Sequence, residues 1–301
     1  MKIDLLGVKI DNLTKSEVLS EIQNKLYPSS SLSADKSIFI VTPYSESIVA
    51  AQKDEEFRNA LNSADLSLPD GIGVLWSANF LQSGFSPSFQ GRGEERGDKF
   101  LKIFYNLIKS LLAIIFNPNY LRAPVPEKIS GSDFIWDLAE LAAKNNYSIF
   151  LLGGFGDTAE LVAQKLKSKF PDLRIAGTYS NINLSFPHRR ESSSISESGM
   201  TRKAIDTINS SRADFLFVAL GPVAQEKWIY KNLPNLRVKL AVGLGGTFDY
   251  IAGKRTPAPQ ILRQTGLEWL WRLFTQPWRL VRIIRGVLGL IWYSVKYKII
   301  H

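Results

Sequence analysis

Along the chain, short apolar runs alternate with segments in which apolar positions recur every three or four residues. The first complete unit is "KSIFIVTPYSESIVAAQKDEEFRNALNSADLSLPDGIGVLWSAN". It predicts a strand ending near Val41, a turn at Thr42 and Pro43, and a helix with Ile48, Val49, Phe57 and Leu61 at helical spacing. A short strand "DLSL" then runs into Pro69, Asp70 and Gly71. Strand, helix and strand at this spacing is the pattern of a βαβ unit. Three later segments repeat it, each an apolar strand feeding a glycine-containing loop: "YSIFLLGGFGDTAELVAQKL", "ADFLFVALGPVAQEKW" and "VKLAVGLGGTFDYIAG". Repeated units of this kind predict an α/β fold, a parallel sheet with helices on both faces. Such sheets bind ligands at the carboxyl ends of their strands, so Pro69-Asp70-Gly71, Gly153-Gly154, Gly221-Pro222 and Gly245-Gly246 are expected along one edge.

Residues 81 to 130 break the rhythm. "SGFSPSFQGRGEERG" reads as loop, and "DKFLKIFYNLIKSLLAIIFNP" predicts a helix over about 98–117. On a helical wheel Lys99, Lys102, Asn106, Lys109 and Ser110 share a narrow face. Phe100, Leu101, Ile103, Phe104, Leu107, Ile108, Leu111, Leu112, Ile115 and Phe116 form a broad apolar one. Two readings stand side by side: a buried core helix, or a lysine-flanked helix lying in a membrane interface. Further on, "NINLSFPHRRESSSISESGMTRK" reads as a serine-rich surface loop.

After "GKRTPAPQ", whose prolines suit a linker, one helix is expected around Leu262 to Phe274 and another after Pro277. The expected organisation is therefore a core over residues 1–253, with an inserted amphipathic segment at 81–130, and a helical appendage over 254–301. On the last helix Arg279, Arg282 and Arg285 recur at intervals of three among Leu280, Val281, Ile283, Ile284, Val287 and Leu288. Its uncharged run after Arg285 is only about ten residues, against roughly 20 needed to span a bilayer. Each arginine at mid-membrane costs about 2.5 to 3.5 kcal/mol, so the segment is expected to lie on a membrane rather than cross it.

Charge sharpens that reading. The 301 residues carry a formal charge of +9, with 45% hydrophobic and 22% charged positions, which is a globular composition. From Lys254 to His301 the basic residues are Lys254, Arg255, Arg263, Arg272, Arg279, Arg282, Arg285, Lys296 and Lys298 against Glu268 alone, so this stretch carries +8 of the +9. Four of the seven tryptophans, Trp269, Trp271, Trp278 and Trp292, lie there too. An anionic partner is expected to meet this end. Zero cysteines exclude disulfides and thiolate metal sites, and two histidines leave little for a zinc centre or a histidine triad. Asp4 and Asp11 interrupt what would have to be the apolar core of a signal peptide, which points to a cytoplasmic chain.

Two glycine-containing turns carry candidate chemistry. In "LLGGFGDTAE" a strand-to-helix turn places Gly153 and Gly154 before Asp157 and Thr158, where backbone N–H groups and the helix dipole favour phosphate. The segment lacks the full three-glycine dinucleotide pattern, and a purely structural turn is the alternative. In "LPDGIG", Asp70 stands at a strand end beside glycine, placed to act as general base towards a hydroxyl. Its alternative is an aspartate that satisfies turn N–H groups. There is no Asp-x-Asp motif, phosphate-binding Walker loop or Gly-x-Ser-x-Gly elbow. The charge of a nucleoside diphosphate leaving group would then fall to arginines rather than to a metal, and no metal or other cofactor is expected.

The ordered set "TP.SE", "LPDGIGV", "SGSD", "FLLGG", "QEKW", "GGTFDYIAGK" and "GLEWLWRL...PWRLVR" resembles the WecG/TagA/CpsF family of bacterial glycosyltransferases, from about residue 37 to 285. The resemblance implies a Rossmann-like core and an inverting, metal-independent transferase. Its donor would be a UDP-sugar carrying N-acetylmannosamine, its uronic acid, or glucose, and its acceptor an undecaprenyl-linked sugar in cell-surface polysaccharide synthesis. It further implies Asp70 as catalytic base with Thr42 beside it, and Gln225, Glu226, Gly246 and Asp249 at the nucleotide. Arg272, Arg279 and Arg282 would belong to an appendage that docks at the cytoplasmic face of the plasma membrane and faces the diphosphate. Tyr44 stands where the family usually has asparagine, and Lys128 where it commonly has arginine; both are further pocket candidates and bear on sugar specificity. The membrane contact would fall on residues 266–301, with 98–117 as a second candidate, and homo-oligomers are compatible with the reading. The alternatives are a nucleic-acid-binding protein using the Arg/Trp tail, disfavoured because its cations are interleaved with large aliphatics, and a nucleotide-binding domain without transferase activity.

Overall fold

The computed structural model describes residues 2–27, 36–83, 96–180, 197–256, 258–259, 262, 271, 274–275 and 280–300. An antiparallel hairpin, β1 (Lys2–Leu5) and β2 (Val8–Asp11), opens the chain and is followed by α1 (Lys15–Leu26). Thr14 caps α1 in a capping box with Glu17, which satisfies two backbone donors at the helix start. Then come β3 (Ile38–Val41), α2 (Ser45–Ala51), α3 (Glu55–Asn62), β4 (Leu66–Ser67) and α4 (Ile72–Gln82). The rest of the sheet is β5 (Ser148–Gly153), β6 (Arg174–Tyr179), β7 (Phe215–Ala219) and β8 (Leu240–Gly243). Their order in space is β4-β3-β8-β7-β5-β6, with every neighbouring pair parallel. Strands β3, β5 and β8 are buried at every position, which is why they read as continuous apolar runs rather than alternating ones.

The expected α/β architecture is thus present, with one strand more than the glycine-loop units revealed. That strand, β6, lies at the sheet edge and is only partly buried, so its sequence "RIAGTY" carries no apolar run. The hairpin protects the opposite edge: Asp11 Oδ2 accepts the Ser67 N–H of β4 at 2.7 Å, a donor that an edge strand would otherwise leave unpaired.

Two apolar cores flank the sheet. One gathers α1, α6 (Gly131–Lys144), α7 (Thr158–Lys169) and α10 (Thr247–Ile251). The other gathers the hairpin, α2, α3, α4, α8 (Glu197–Ser211) and α9 (Ala224–Asn232). Helix α7 leads from β5 to the β6 edge, whereas α9, on the opposite face, leads from β7 towards β8. The connections diverge between β5 and β7, and the carboxyl ends there open a crevice. The segment read as loop over 181–203 lies outside the described residues as far as 196; from Glu197 it is helical, because Ala204 and Ile208 recur at helical spacing and are buried.

Two long helices complete the second face. The helix expected over about 98–117 is α5 (Arg96–Phe116), and the last helix is α11 (Leu280–Ile300). Neither of the two readings of α5 fits whole. Ile103, Ser110 and Ala113 face the protein, Ser110 accepting Trp76 Nε1–H at 2.9 Å, so Ser110 belongs to the packed face and not to a polar one. Phe100, Leu101, Phe104, Tyr105, Ile108, Leu112 and Phe116 are exposed, which excludes a simple core helix. Helix α11 packs on α2 at glycine positions: a Cβ at Gly286 would meet Glu46 Cγ at 2.5 Å, and one at Gly289 would meet Val49 at 3.1 Å. Leu290 and Ser294 are buried, Ser294 sharing a hydrogen bond of 2.7 Å with Ser77 of α4. Among the described residues no helix is long and apolar enough to cross a membrane.

Candidate active site

A cavity of about 850 Å³ opens at the carboxyl ends of the strands. Asp70, Gly71, Gly154, Gly221, Pro222, Gly245 and Gly246 all line it, so the turns expected along one sheet edge do converge.

Asp70 is fixed by its backbone surroundings. Leu68 N–H donates to Val41 O, Asp70 N–H to Pro43 O at 3.0 Å, and Ile129 N–H to Pro69 O at 2.9 Å. The β4 end is therefore tied to the Thr42-Pro43 turn on one side and to the approach to α6 on the other. Gly71 has φ +97°, a conformation open to glycine and costly for other residues, and it lets the chain turn straight into α4. The carboxylate Oδ2 accepts the Gly131 N–H at 3.3 Å, at the first turn of α6. A Cβ at Gly131 would stand 3.4 Å from Thr42 Oγ1 and 3.9 Å from Asp70 Oδ2, so glycine there leaves room for both groups side by side.

Across the cavity, Gln225 is locked against the end of β8. Its Oε1 accepts Gly245 N–H at 2.8 Å and its Nε2 donates to Glu226 Oε1 at 2.7 Å. A Cβ at Gly243 would fall 2.8 Å from Nε2, so the amide lies flat on the strand end. Val223, just before α9, sits at φ +70°, a strained value for a β-branched residue. Glu226 is buried, and its Oε2 has no hydrogen-bond partner among the described residues. Burial pushes its carboxyl up to about 7, and the Gln225 hydrogen bond only partly opposes this. With an ordinary value of 4.5, the stability this carboxyl contributes is complete below about pH 4.5 and is lost as pH rises through about 7. Glu226→Gln is expected to flatten the melting-temperature profile between pH 5 and 8, with the variant gaining most on the wild type at the alkaline end. Parallel profiles would assign that dependence to other groups.

Asp249 pairs with Arg255, Oδ2 to Nε at 3.1 Å, and Arg255 Nη1 is buried without a partner among the described residues. Arg255 lines the cavity and was not a sequence-level candidate: six positions after Asp249 and past the end of α10, no helical or strand spacing links the two. Its signal was only its place in "GKRTP".

Arg282 reaches the cavity from α11. It donates through Nε to Glu46 Oε2 and through Nη2 to Tyr44 Oη at 2.7 Å. Burial, and Glu46 beside it, push the Tyr44 phenol above its ordinary value, so it stays protonated and donates to Glu46 Oε2 at 3.5 Å. Tyr44 and Lys128 both line the cavity, whereas Arg272 and Arg279 lie outside the described residues.

The Gly153-Gly154 turn has a packing role. A Cβ at Gly153, φ +100°, would come 2.4 Å from Ala219 O, and one at Gly154 would come 2.8 Å from Thr158 Cβ. Gly154 lines the cavity; Gly153 faces β7 and does not. The start of α7 already holds a cation: Lys254 Nζ donates to Phe155 O at 2.9 Å, Asp157 Oδ1 at 2.6 Å and Thr158 Oγ1 at 2.8 Å.

Asp70 and Thr42 thus approach one another at Gly131, and Arg255 and Arg282 line the same strand-end cavity. The model of the glycosyl transferase WecG/TagA/CpsF family matches residues 3–92 and 113–301. The chain belongs to that family, and it is a glycosyltransferase. Its relatives include the N-acetylglucosaminyldiphosphoundecaprenol N-acetyl-beta-D-mannosaminyltransferase of Staphylococcus aureus (strain MRSA252). That protein is 22% identical over 297 residues, covering 99% of this chain and 93% of the relative. The protein of the same name from Bacillus subtilis (strain 168) is 28% identical over 245 residues, covering 81% of this chain and 74% of the relative. The WecG/TagA/CpsF match skips residues 93–112, and of these 96–112 are most of α5 in this glycosyltransferase.

Proposed function

We propose that this glycosyltransferase moves an N-acetylmannosamine-type sugar, its uronic acid or glucose from a UDP-sugar to an N-acetylglucosamine carried on undecaprenyl diphosphate, with inversion and without a metal, in cell-surface polysaccharide synthesis. The observation that carries the reading is Asp70, held at a strand end by the Gly131 N–H beside the Thr42 hydroxyl, in a cavity that Arg255 and Arg282 also line. The names of the relatives support the acceptor and the aminosugar.

In this reading Asp70 takes the proton of the acceptor hydroxyl as its oxygen bonds to the anomeric carbon. The bond from that carbon to the β-phosphate oxygen breaks, and its electron pair leaves with UDP. Attack from the face opposite the leaving group inverts the centre. Arg282 and Arg255 offer N–H donors to the developing charge, the part a metal plays elsewhere. Gln225 and Asp249 bind the nucleotide from the β8 side. The enzyme works at the cytoplasmic face of the plasma membrane as a peripheral protein, where both substrates meet.

A thermal-shift series with UDP-N-acetylmannosamine, its uronic acid and UDP-glucose tests the donor. Transfer onto lipid-linked N-acetylglucosamine diphosphate in excess EDTA, with the product's anomeric configuration read by NMR, tests the rest. Inverted product without metal is expected; a retained configuration or full loss of activity with EDTA would refute the mechanism.

A further inference from the structure

The lining of the cavity is of two chemical kinds: Thr42, Asp70, Gln225 and Asp249, called here the inner limb, and Trp76 of α4, Leu111 and Ile114 of α5, and Ile284, Leu288 and Ile291 of α11, called the outer limb. Arg282, donating to Glu46 and Tyr44, is one of the cavity's cations and belongs to the same helix, α11, as half of the apolar wall.

The outer limb is built from packed parts. Trp76 Nε1 donates to Ser110 Oγ of α5, Ser77 and Ser294 share a buried hydrogen bond between α4 and α11, and Lys298 Nζ donates to Ser83 O at 2.7 Å. These contacts tie α5 and α11 to α4 while the apolar residues between them stay on the cavity surface. The limb also has an apolar surround, since Ile108 and Leu112 of α5 and Ile284 and Leu288 of α11 are exposed. Exposed apolar side chains that continue into a cavity ending at a carboxylate and an arginine suit a ligand with an apolar tail and an anionic head. Leu111, Ile108 and Leu112 fall within residues 93–112, which the family match does not cover, whereas Ile114 and the α11 residues lie in the matched part.

We propose that the outer limb binds the first isoprene units of a polyprenyl diphosphate acceptor, laid between α5 and α11 with the diphosphate at Arg282. The chain leaves over Ile108, Leu112 and Leu288 into a bilayer that these same side chains enter. The inference rests on the proposed lipid-linked acceptor and adds where its lipid is held.

The full-length enzyme is to be assayed with two acceptors, N-acetylglucosamine diphosphate bearing a farnesyl group and the same head bearing an ethyl group. The farnesyl acceptor is expected to show a KM at least tenfold below that of the ethyl one. Leu111→Trp, which fills the limb, should erase that difference while leaving kcat on the ethyl acceptor unchanged. Leu111→Asn, branched alike but smaller and polar, should do the same and guards against a folding defect of the larger side chain. Equal KM values for the two acceptors in the wild type, or an unchanged farnesyl KM in both variants, would overturn the proposal.

Calorimetric binding of farnesyl diphosphate, without donor or vesicles, separates this inference from the proposed reaction. Binding weakened by Leu111→Trp, in an enzyme that transfers to neither acceptor, would sink the acceptor reading and keep the limb. Absence of binding without vesicles would reduce the exposed faces to a general membrane contact and overturn the limb.

Discussion

Asp70→Asn is expected to lower kcat about 10³-fold, within the range that a positioned general base contributes, while the affinity for UDP measured by calorimetry stays within about twofold. The substitution is isosteric, so the amide oxygen can still accept the Gly131 N–H, and the backbone links through Pro43, Pro69 and Ile129 do not involve the side chain. What disappears is the capacity to accept a proton from the acceptor hydroxyl. The other carboxylates of the cavity have different occupations: Glu46 holds Arg282 and Asp249 holds Arg255. Glu226 alone among these has a buried oxygen without a partner among the described residues, and its raised pKa of about 7 suits a base. Single-turnover rates decide between them. If Asp70→Asn keeps more than a tenth of the wild-type rate and Glu226→Gln does not, the base is Glu226 and the mechanism must be redrawn around α9.

The parts of this site that were legible in the sequence are those set by the backbone. Pro69-Asp70-Gly71 announces itself because a strand end, a carboxylate and a positive-φ glycine are consecutive, and the convergence of the glycine turns follows from a parallel sheet alone. Gln225 and Glu226 were reached only through the family resemblance, since their geometry depends on Gly243 and Gly245 of another strand. Arg255 was missed for the same reason: its partner is an aspartate on the preceding helix, and nothing in local spacing marks the pair. At Gly153 and Gly154 the sequence shows a glycine-rich turn but not its packing: the missing Cβ atoms leave room for Ala219 O and Thr158 Cβ, and Lys254 bonds the start of α7 from another segment. Helix α5 could not be settled by its wheel, because a broad apolar stripe is equally compatible with a core, a bilayer or a ligand. Ile103, Ser110 and Ala113 seat it, and that choice depends on Trp76 of α4.

Arg282→Ala is expected to cost about 10² to 10³ in kcat, the usual loss when a donor to developing negative charge is removed from a preorganised site. The argument rests on how its N–H groups are shared. Guanidinium has five donors; Glu46 takes the one on Nε and Tyr44 takes one on Nη2, which leaves the remainder for an oxyanion in the cavity. Because Glu46 offsets the charge, the contribution is directional rather than a matter of net charge, and Arg282→Lys should recover only a small part of the loss. Tyr44→Phe removes a single hydrogen bond to the fork, worth about 1 kcal/mol, so a five- to tenfold fall in kcat/KM is expected. Both losses should appear in kcat more than in the KM for the donor, since the charge develops in the transition state. The position of α11 supports the same ordering. Gly286 brings the helix against Glu46 so closely that a Cβ there would stand 2.5 Å from Glu46 Cγ, and Gly286→Leu should therefore reproduce the Arg282→Ala defect without touching the arginine. An Arg282→Ala enzyme with more than a third of wild-type kcat would remove α11 from the chemistry and leave the leaving group to Arg255.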